Sequence, residues 1–411
     1  MTATSLFYLI IGIIVVNFIK DKLLNAVNAK HFGDPLPKEV ADVFDKDAYK
    51  KSQDYKRTNY RFGIWSSLFS FALTLGFLFV DGFEYVDNLA RTYSSNSIVL
   101  ALLFFGIIML GSDIISTPFS YYRTFVIEEK FGFNKTSRKT FWTDKLKGLL
   151  MTAILGGGLL VLVVWFYELT TNLFWIYTWI AITIFTVFMN MFYSRLIVPL
   201  FNKQTPLEKG DLFDKISSYA ATVGFNLDKI FVIDGSKRST KANAYFSGFG
   251  REKRVTLYDT LINELEDEEI VAVLAHEVGH YKKKHIIFNL VSSVLMTGLT
   301  LFILSVFIGN PLLSNAIGVK IASFHVGLVA FGLLYSPISE LTGLLMNFIS
   351  RKFEYQADDY AKTTYKAEPL ISSLKKLSKN SLSNLTPHKA YVWVHYSHPT
   401  LYDRIINLKR L

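Results

Sequence analysis

The chain has 411 residues, 51% of them hydrophobic, with 44 Lys and Arg against 34 Asp and Glu and no Cys. That apolar content, with a net charge of +10, excludes a disordered chain and an ordinary soluble domain and points to membrane embedding. Disulfides and thiolate metal ligands are excluded by the lack of Cys.

In chain order, apolar runs predict membrane helices at Leu6–Ile19, Phe62–Val80, Ile98–Ile115, Leu149–Phe166, Phe174–Phe192, Ile286–Ile308 and Phe324–Ile349. A bilayer core takes ~20 helical residues. The first run has no basic stretch before it and no Ala-x-Ala-like site after it, so it reads as an uncleaved anchor. Lys20–Arg61 holds ten Lys or Arg and Ser116–Lys147 holds seven, whereas Asp81–Asn96 holds only Arg91 and Asn310–Ser323 only Lys320. The positive-inside rule then predicts an external N-terminus and a cytosolic C-terminus. Topology and contact with anionic lipid account for the positive charge, so no nucleic-acid partner is expected. Asp at a helix centre costs about 2.5–3.5 kcal/mol on insertion scales, so Asp113 and Glu340 are expected to face protein or water. With Asn17, Asn190, Asn289 and Asn347 they predict either a hydrated cavity among the helices or interhelical hydrogen bonds.

Two less apolar regions remain, Asn202–His285 and Arg351–Leu411. In the first, Lys229–Asp234, Asn243–Phe246 and Arg254–Tyr258 have strand character, and Asp267–His280 reads as a helix with an acidic first turn. The second reads as mainly helical. The expected organisation is residues 1–201 as five membrane helices with their loops, 202–285 as the first part of a polar unit, 286–349 as two further membrane helices, and 350–411 as the second part of that unit. Neither polar part is large enough to fold comfortably alone, so both should build one unit docked on the membrane helices. The fold class is therefore a mainly α, polytopic membrane protein with a small β element on its cytosolic side.

The chemistry centres on His276-Glu277-x-x-His280. On a helix, His276 and His280 share a face and both imidazoles reach one zinc ion, while Glu277 serves as base toward its water. Catalytic zinc takes a third protein ligand. Glu354 and Asp358, four apart on a predicted helix, suit a carboxylate ligand and an acceptor that orients a ligand histidine; a solvated acidic face is the competing reading. His285 lies five residues past His280, roughly 140° around the helix, and is expected at an interface and not among the ligands. His325 reads as a satisfied interior histidine. His395, His398 and Arg404 are candidates for the donor that stabilises a tetrahedral oxyanion, with a surface loop as the alternative. Asn243, Ala244 and Tyr245 fit an edge strand that pairs with an extended peptide, or an ordinary strand ending at Ser247-Gly248.

Taken together, Pro118–Lys135, Pro199–Lys203, Ser236–Phe246, the His276 motif, Phe353–Asp358 and Tyr396–Thr400 resemble the type I CAAX prenyl endopeptidases over nearly the whole chain. The resemblance implies seven membrane helices around a water-filled chamber, closed on the cytosolic side by a thermolysin-like zinc site. It implies His276, His280 and Glu354 as ligands of one zinc ion, Glu277 as general base, Asn243 as a substrate-backbone contact, and His398 and Arg404 as support for the site and the transition state. The expected function is removal of the carboxyl-terminal tripeptide of prenylated CAAX-type proteins, with the peptide substrate and membrane lipids as partners. The alternatives are a quality-control protease acting on unprenylated membrane proteins and, in another class, a non-catalytic zinc-stabilised scaffold or transporter. Glu277 speaks against the last, because a structural site needs no base. The chain is short for a eukaryotic member and shows no ER-retrieval signal at Asn407–Leu411, so a bacterial plasma membrane is expected, or the ER membrane for a eukaryotic source.

Overall fold

The computed structural model describes residues 2–225, 229–248 and 253–410. Among these, seven helices are long and apolar enough to cross a membrane: α1 (Ala3–Lys30), α2 (Lys46–Phe79), α3 (Ser97–Phe131), α4 (Arg138–Thr170), α5 (Phe174–Phe201), α8 (His285–Phe307) and α9 (Phe324–Thr364). Each predicted apolar run coincides with one of them, two of the runs passing the helix end by one residue, at Val80 and Ile308. Side-chain caps set several starts. Asp45 accepts from the Ala48 N–H, Asn96 from those of Ile98 and Val99, and Ser137 from that of Thr140. Most helices run past their apolar stretch. The clearest case is α9, whose 41 residues give it a length of about 60 Å, so that it leaves the membrane zone as one rod and carries Glu354 and Asp358 beyond it.

Outside the membrane helices, α6 (Asp211–Thr222) and α7 (Asp267–Lys282) flank a four-stranded sheet ordered β1-β2-β4-β3. Its strands are β1 (Gln204–Pro206), β2 (Ile230–Ile233), β3 (Ala244–Ser247) and β4 (Arg254–Tyr258). β2 and β4 are parallel and the other two pairings antiparallel, which leaves β3 at an edge. β1 went unread in the sequence because three residues, Gln204-Thr205-Pro206, carry no alternation. The C-terminal segment folds as α10 (Ala367–Asn380), α11 (Lys389–His395) and α12 (Leu401–Lys409).

Three apolar cores result. One, with Ile10, Phe104, Phe174 and Phe331, ties α1, α3, α5 and α9 together. A second packs Ile270, Leu274 and Val278 of α7 against Leu257, Leu261, Ala361, Leu370 and Leu408, joining the sheet to α9, α10 and α12. The third, with Val40, Tyr55, Phe131, Phe133, Leu385 and Ile405, seats the C-terminal segment on α2 and α3. Within their most apolar windows the seven spans bury only 6–17% of residues, which leaves most of their side chains facing lipid or the space between helices. The intramembrane carboxylates face protein: Asp113 accepts from Lys145 at 2.6 Å, linking α3 to α4, and Glu340 accepts from Lys20, linking α9 to α1.

Candidate active site

The start of α7 is fixed by a capping box in which the Glu266 side chain accepts from the third-position N–H and Glu269 accepts from the Glu266 N–H at 2.9 Å. Glu269 also accepts from Ser372 at 2.6 Å and Lys376 at 2.8 Å, tying that helix end to α10. Further along, Gly279 sits against α9. A Cβ there would lie 3.1 Å from the Ala357 Cα, the Ala357 carbonyl oxygen and the Tyr360 Cβ. That close crossing brings the His276/His280 face of α7 onto the Glu354/Asp358 face of α9.

The donor atoms converge. His276 Nε2 and His280 Nε2 are 3.1 Å apart, and Glu354 places Oε2 at 3.4 Å from the first and Oε1 at 3.3 Å from the second. Glu354 is 4% exposed, and its Oε2 has no hydrogen-bond partner among the described residues. Each imidazole turns its other nitrogen outward to a fixed partner. His276 Nδ1 stands 2.9 Å from Asp358 Oδ1. Arg404 of α12 grips Asp358 with both arms, Nε at 2.9 Å from Oδ2 and Nη2 at 2.5 Å from Oδ1, while its Nη1 lies 3.5 Å from Glu354. His280 Nδ1 is 3.0 Å from His285 Nδ1, and His285 Nε2 reaches Gln356 Oε1 at 2.8 Å.

Burial and the Arg404 charge oppose protonation of His276, but the Asp358 and Glu354 carboxylates outweigh them and push its pKa up to about 9. Glu277, half-buried on α7, makes no side-chain hydrogen bond among the described residues and is near enough to Arg404 to favour its charge. His398 is exposed over 63% of its side chain, with Nε2 3.3 Å from Glu354 Oε1 and Nδ1 2.9 Å from Ser397 Oγ. Asn243 is exposed at the head of β3, its Oδ1 accepting from the Ala244 N–H at 2.9 Å, and Ala244 and Tyr245 pair with Leu257 and Thr256 on one side only.

His276, His280, Glu354, Asp358, His398 and Arg404 are thus brought together. His395 is not: its ring lies against Tyr391 at 4.5 Å on α11. His325 is an interior histidine bonded to Asp87 at 2.7 Å in the first core. His285 is not a ligand, yet it backs His280, a contact that spacing along one helix does not predict. Lys284 adopts a left-handed φ of 61°, breaks α7 from α8, and swings His285 back toward His280. A Lys between two helical patterns carries no sign of that conformation.

Residues 25–203 match a family model described as CAAX prenyl protease N-terminal, five membrane helices, and residues 206–411 match Peptidase family M48. CAAX prenyl protease 1 of Saccharomyces cerevisiae is 35% identical over 400 residues, covering 91% of this chain and 88% of its own. The CAAX prenyl protease 1 homolog of Arabidopsis thaliana is 33% identical over 405 residues, 96% of each chain. A crystal structure of S. mikatae Ste24p matches with a TM-score of 0.94 at 34% identity, covering 98% of this chain and 99% of that one. With its seven apolar helices and its largely buried His-His-Glu cluster, the chain belongs to peptidase family M48 and is a membrane-embedded metalloendopeptidase.

Proposed function

We propose that the chain is a zinc endopeptidase that removes the carboxyl-terminal tripeptide of prenylated CAAX-type proteins. The observation that carries the metal assignment is the spacing of the three donors. Zinc with ligand bonds of about 2.0–2.1 Å in tetrahedral array holds its ligand atoms about 3.3–3.4 Å apart. The separations of 3.1, 3.3 and 3.4 Å fit that figure, and the buried Glu354 Oε2 makes no hydrogen bond among the described residues that would compete with a metal. The ligands would be His276, His280 and Glu354, with Asp358 and His285 holding the two imidazoles in the tautomer that leaves Nε2 free.

When bound, zinc supplies Lewis acidity, lowering the pKa of its water to about 7 and polarising the scissile carbonyl. Glu277 accepts the proton of the attacking water and passes it to the leaving amine. Arg404 is committed to Asp358 by two bonds and acts through the His276 frame, whereas the exposed His398, its Nε2 beside Glu354 Oε1, is the donor placed to turn toward a developing oxyanion. β3 receives the substrate backbone on its open edge, with Asn243 adding a side-chain contact. Residues 202–285 and 350–411 form one catalytic unit around the second core, docked on the helices of 1–201 and 286–349.

The slight burial of the spans, and a cavity of about 640 Å³ lined by Ser66, Ser67, Ser70, Thr74, Ser112 and Ser116 together with apolar residues, support a hydrated chamber able to take a lipid tail. The basic loops support a cytosolic position for the site, and the membrane we propose is the bacterial plasma membrane.

The test is hydrolysis of a farnesylated CAAX peptide beside its unprenylated twin by the detergent-solubilised protein, with Glu277→Gln as control. Cleavage of the prenylated peptide alone, lost in the variant with metal retained, is expected. Equal cleavage of both would replace the proposal by a broader membrane protease.

A further inference from the structure

A cavity of about 450 Å³ lies apart from the metal ligands, between α1, α2, the end of α3 and the segment between α10 and α12. Lys22, Lys56 and Arg123 line it, and among the described residues no Asp or Glu does. None of the three cations is in an ion pair among the described residues. Its wall also holds Asn384, whose Nδ2 is buried with no hydrogen-bond partner among the described residues. Three cations without a carboxylate partner, of which Lys22 donates only to the Ser67 hydroxyl, and one unsatisfied donor around a single cavity form a binding place for an anionic group.

Chain connections place this cavity beside the reaction centre. Tyr396 in its wall accepts a bond from Arg351 at 2.5 Å and stands two residues before His398, at most ~7 Å along the chain. Elsewhere in its lining, the Tyr55 hydroxyl is 3.2 Å from Lys241 Nζ, and Lys241 is two residues before Asn243 at the head of β3. The cavity is therefore tied both to the His398 loop and to the proposed substrate edge. An extended tripeptide reaches ~10 Å. Walls drawn from both the membrane helices and the C-terminal segment set the cavity between bundle and catalytic unit instead of on a lipid-facing side.

We infer that Lys22, Lys56 and Arg123 bind the free carboxyl-terminal carboxylate of the substrate, measuring a tripeptide from the scissile bond. The inference rests on the CAAX reading above. It gives these side chains a purpose that the ligand cluster does not use, and it makes the α-carboxylate itself a specificity element.

The experiment compares a farnesylated CAAX peptide as free acid with its carboxyl-terminal amide, using the full-length solubilised protein and its Lys56→Gln, Arg123→Gln and Lys22→Gln variants. The wild type should favour the acid by about tenfold or more in kcat/KM, mostly through KM. Lys56→Gln and Arg123→Gln should bring the acid-to-amide ratio near 1, and Lys56→Arg and Arg123→Lys should keep it high. Because the ratio is internal to each protein, partial misfolding of a variant lowers both rates and leaves the ratio readable. A wild-type ratio of 1, with both peptides cut, would overturn the inference and leave the CAAX reading standing. Failure of the wild type to cut either peptide, while it cuts an unrelated one, would remove both. If acid and amide rates instead rise together with the phosphatidylglycerol content of reconstituted vesicles, the cavity holds a lipid headgroup and the substrate assignment falls.

Discussion

Replacing Gly279 by Ala probes how the metal site is assembled, because it adds one methyl group at the crossing of α7 and α9. Its Cβ would meet the Ala357 Cα, the Ala357 carbonyl oxygen and the Tyr360 Cβ, each at 3.1 Å. Carbon contacts settle at about 3.5–4.0 Å, so the helices must part by roughly half an ångström. Two of the three neighbours are backbone of a long rigid helix and cannot rotate away. Overpacking of this kind costs about 1–3 kcal/mol in stability. The larger effect falls on the ligands. His276 and His280 ride on α7 and Glu354 on α9, and a metal site tolerates only about ±0.2 Å in its bond lengths. Metal affinity should therefore fall by about 10–100-fold, read by competition with a chromophoric chelator, with turnover falling alongside. Gly343→Ala, on the same α9 but facing open space, is the matched control and should change neither quantity. A Gly279→Ala protein with metal affinity within about twofold of wild type would show that the close crossing does not set the site.

Four further outcomes follow from the same geometry. With the pKa of His276 pushed up to about 9, the free site carries a proton at pH 7 that a metal must displace, so affinity should weaken as pH falls below that value. Calorimetry in two buffers should find about one proton released per ion, and none released would refute the linkage. Arg404→Lys loses the two-armed grip on Asp358 and should weaken metal binding about tenfold, measured by the same chelator competition. His285→Phe keeps the ring stacked on Phe353 at 4.0 Å but removes the acceptor for His280 Nδ1; a loss of about tenfold in metal affinity is expected, and unchanged affinity would make His285 a packing residue only. Glu269→Ala removes a cap and two bonds to α10 and should lower stability by about 1–3 kcal/mol in thermal or denaturant unfolding. Burial works against the Glu269 charge, but Lys376 and Ser372 hold its carboxyl below the usual range, so this contribution is present at neutral pH and lost in acid.

The sequence by itself determined the elements whose information is local. Apolar runs of membrane length located all seven spans, since each must satisfy its own backbone and present apolar side chains to lipid. The four-residue spacing of His276 with His280, and of Glu354 with Asp358, fixed two ligand faces, because helical periodicity is a property of the segment alone. Strands β2, β3 and β4 were legible through their aromatic and β-branched residues, while β1 is recognisable only by its pairing with β2. Tertiary structure decided how those faces meet. That α9 runs unbroken from membrane to catalytic unit, that Gly279 lets α7 approach it, and that Arg404 rather than His398 holds Asp358 depend on contacts between residues far apart in the chain. Tertiary structure also gave His285 its position, through a left-handed Lys284 that local preference disfavours and only the surrounding packing sustains. Helices and their faces follow from short-range sterics and periodicity, whereas a site built from three helices exists only once their packing has chosen one arrangement.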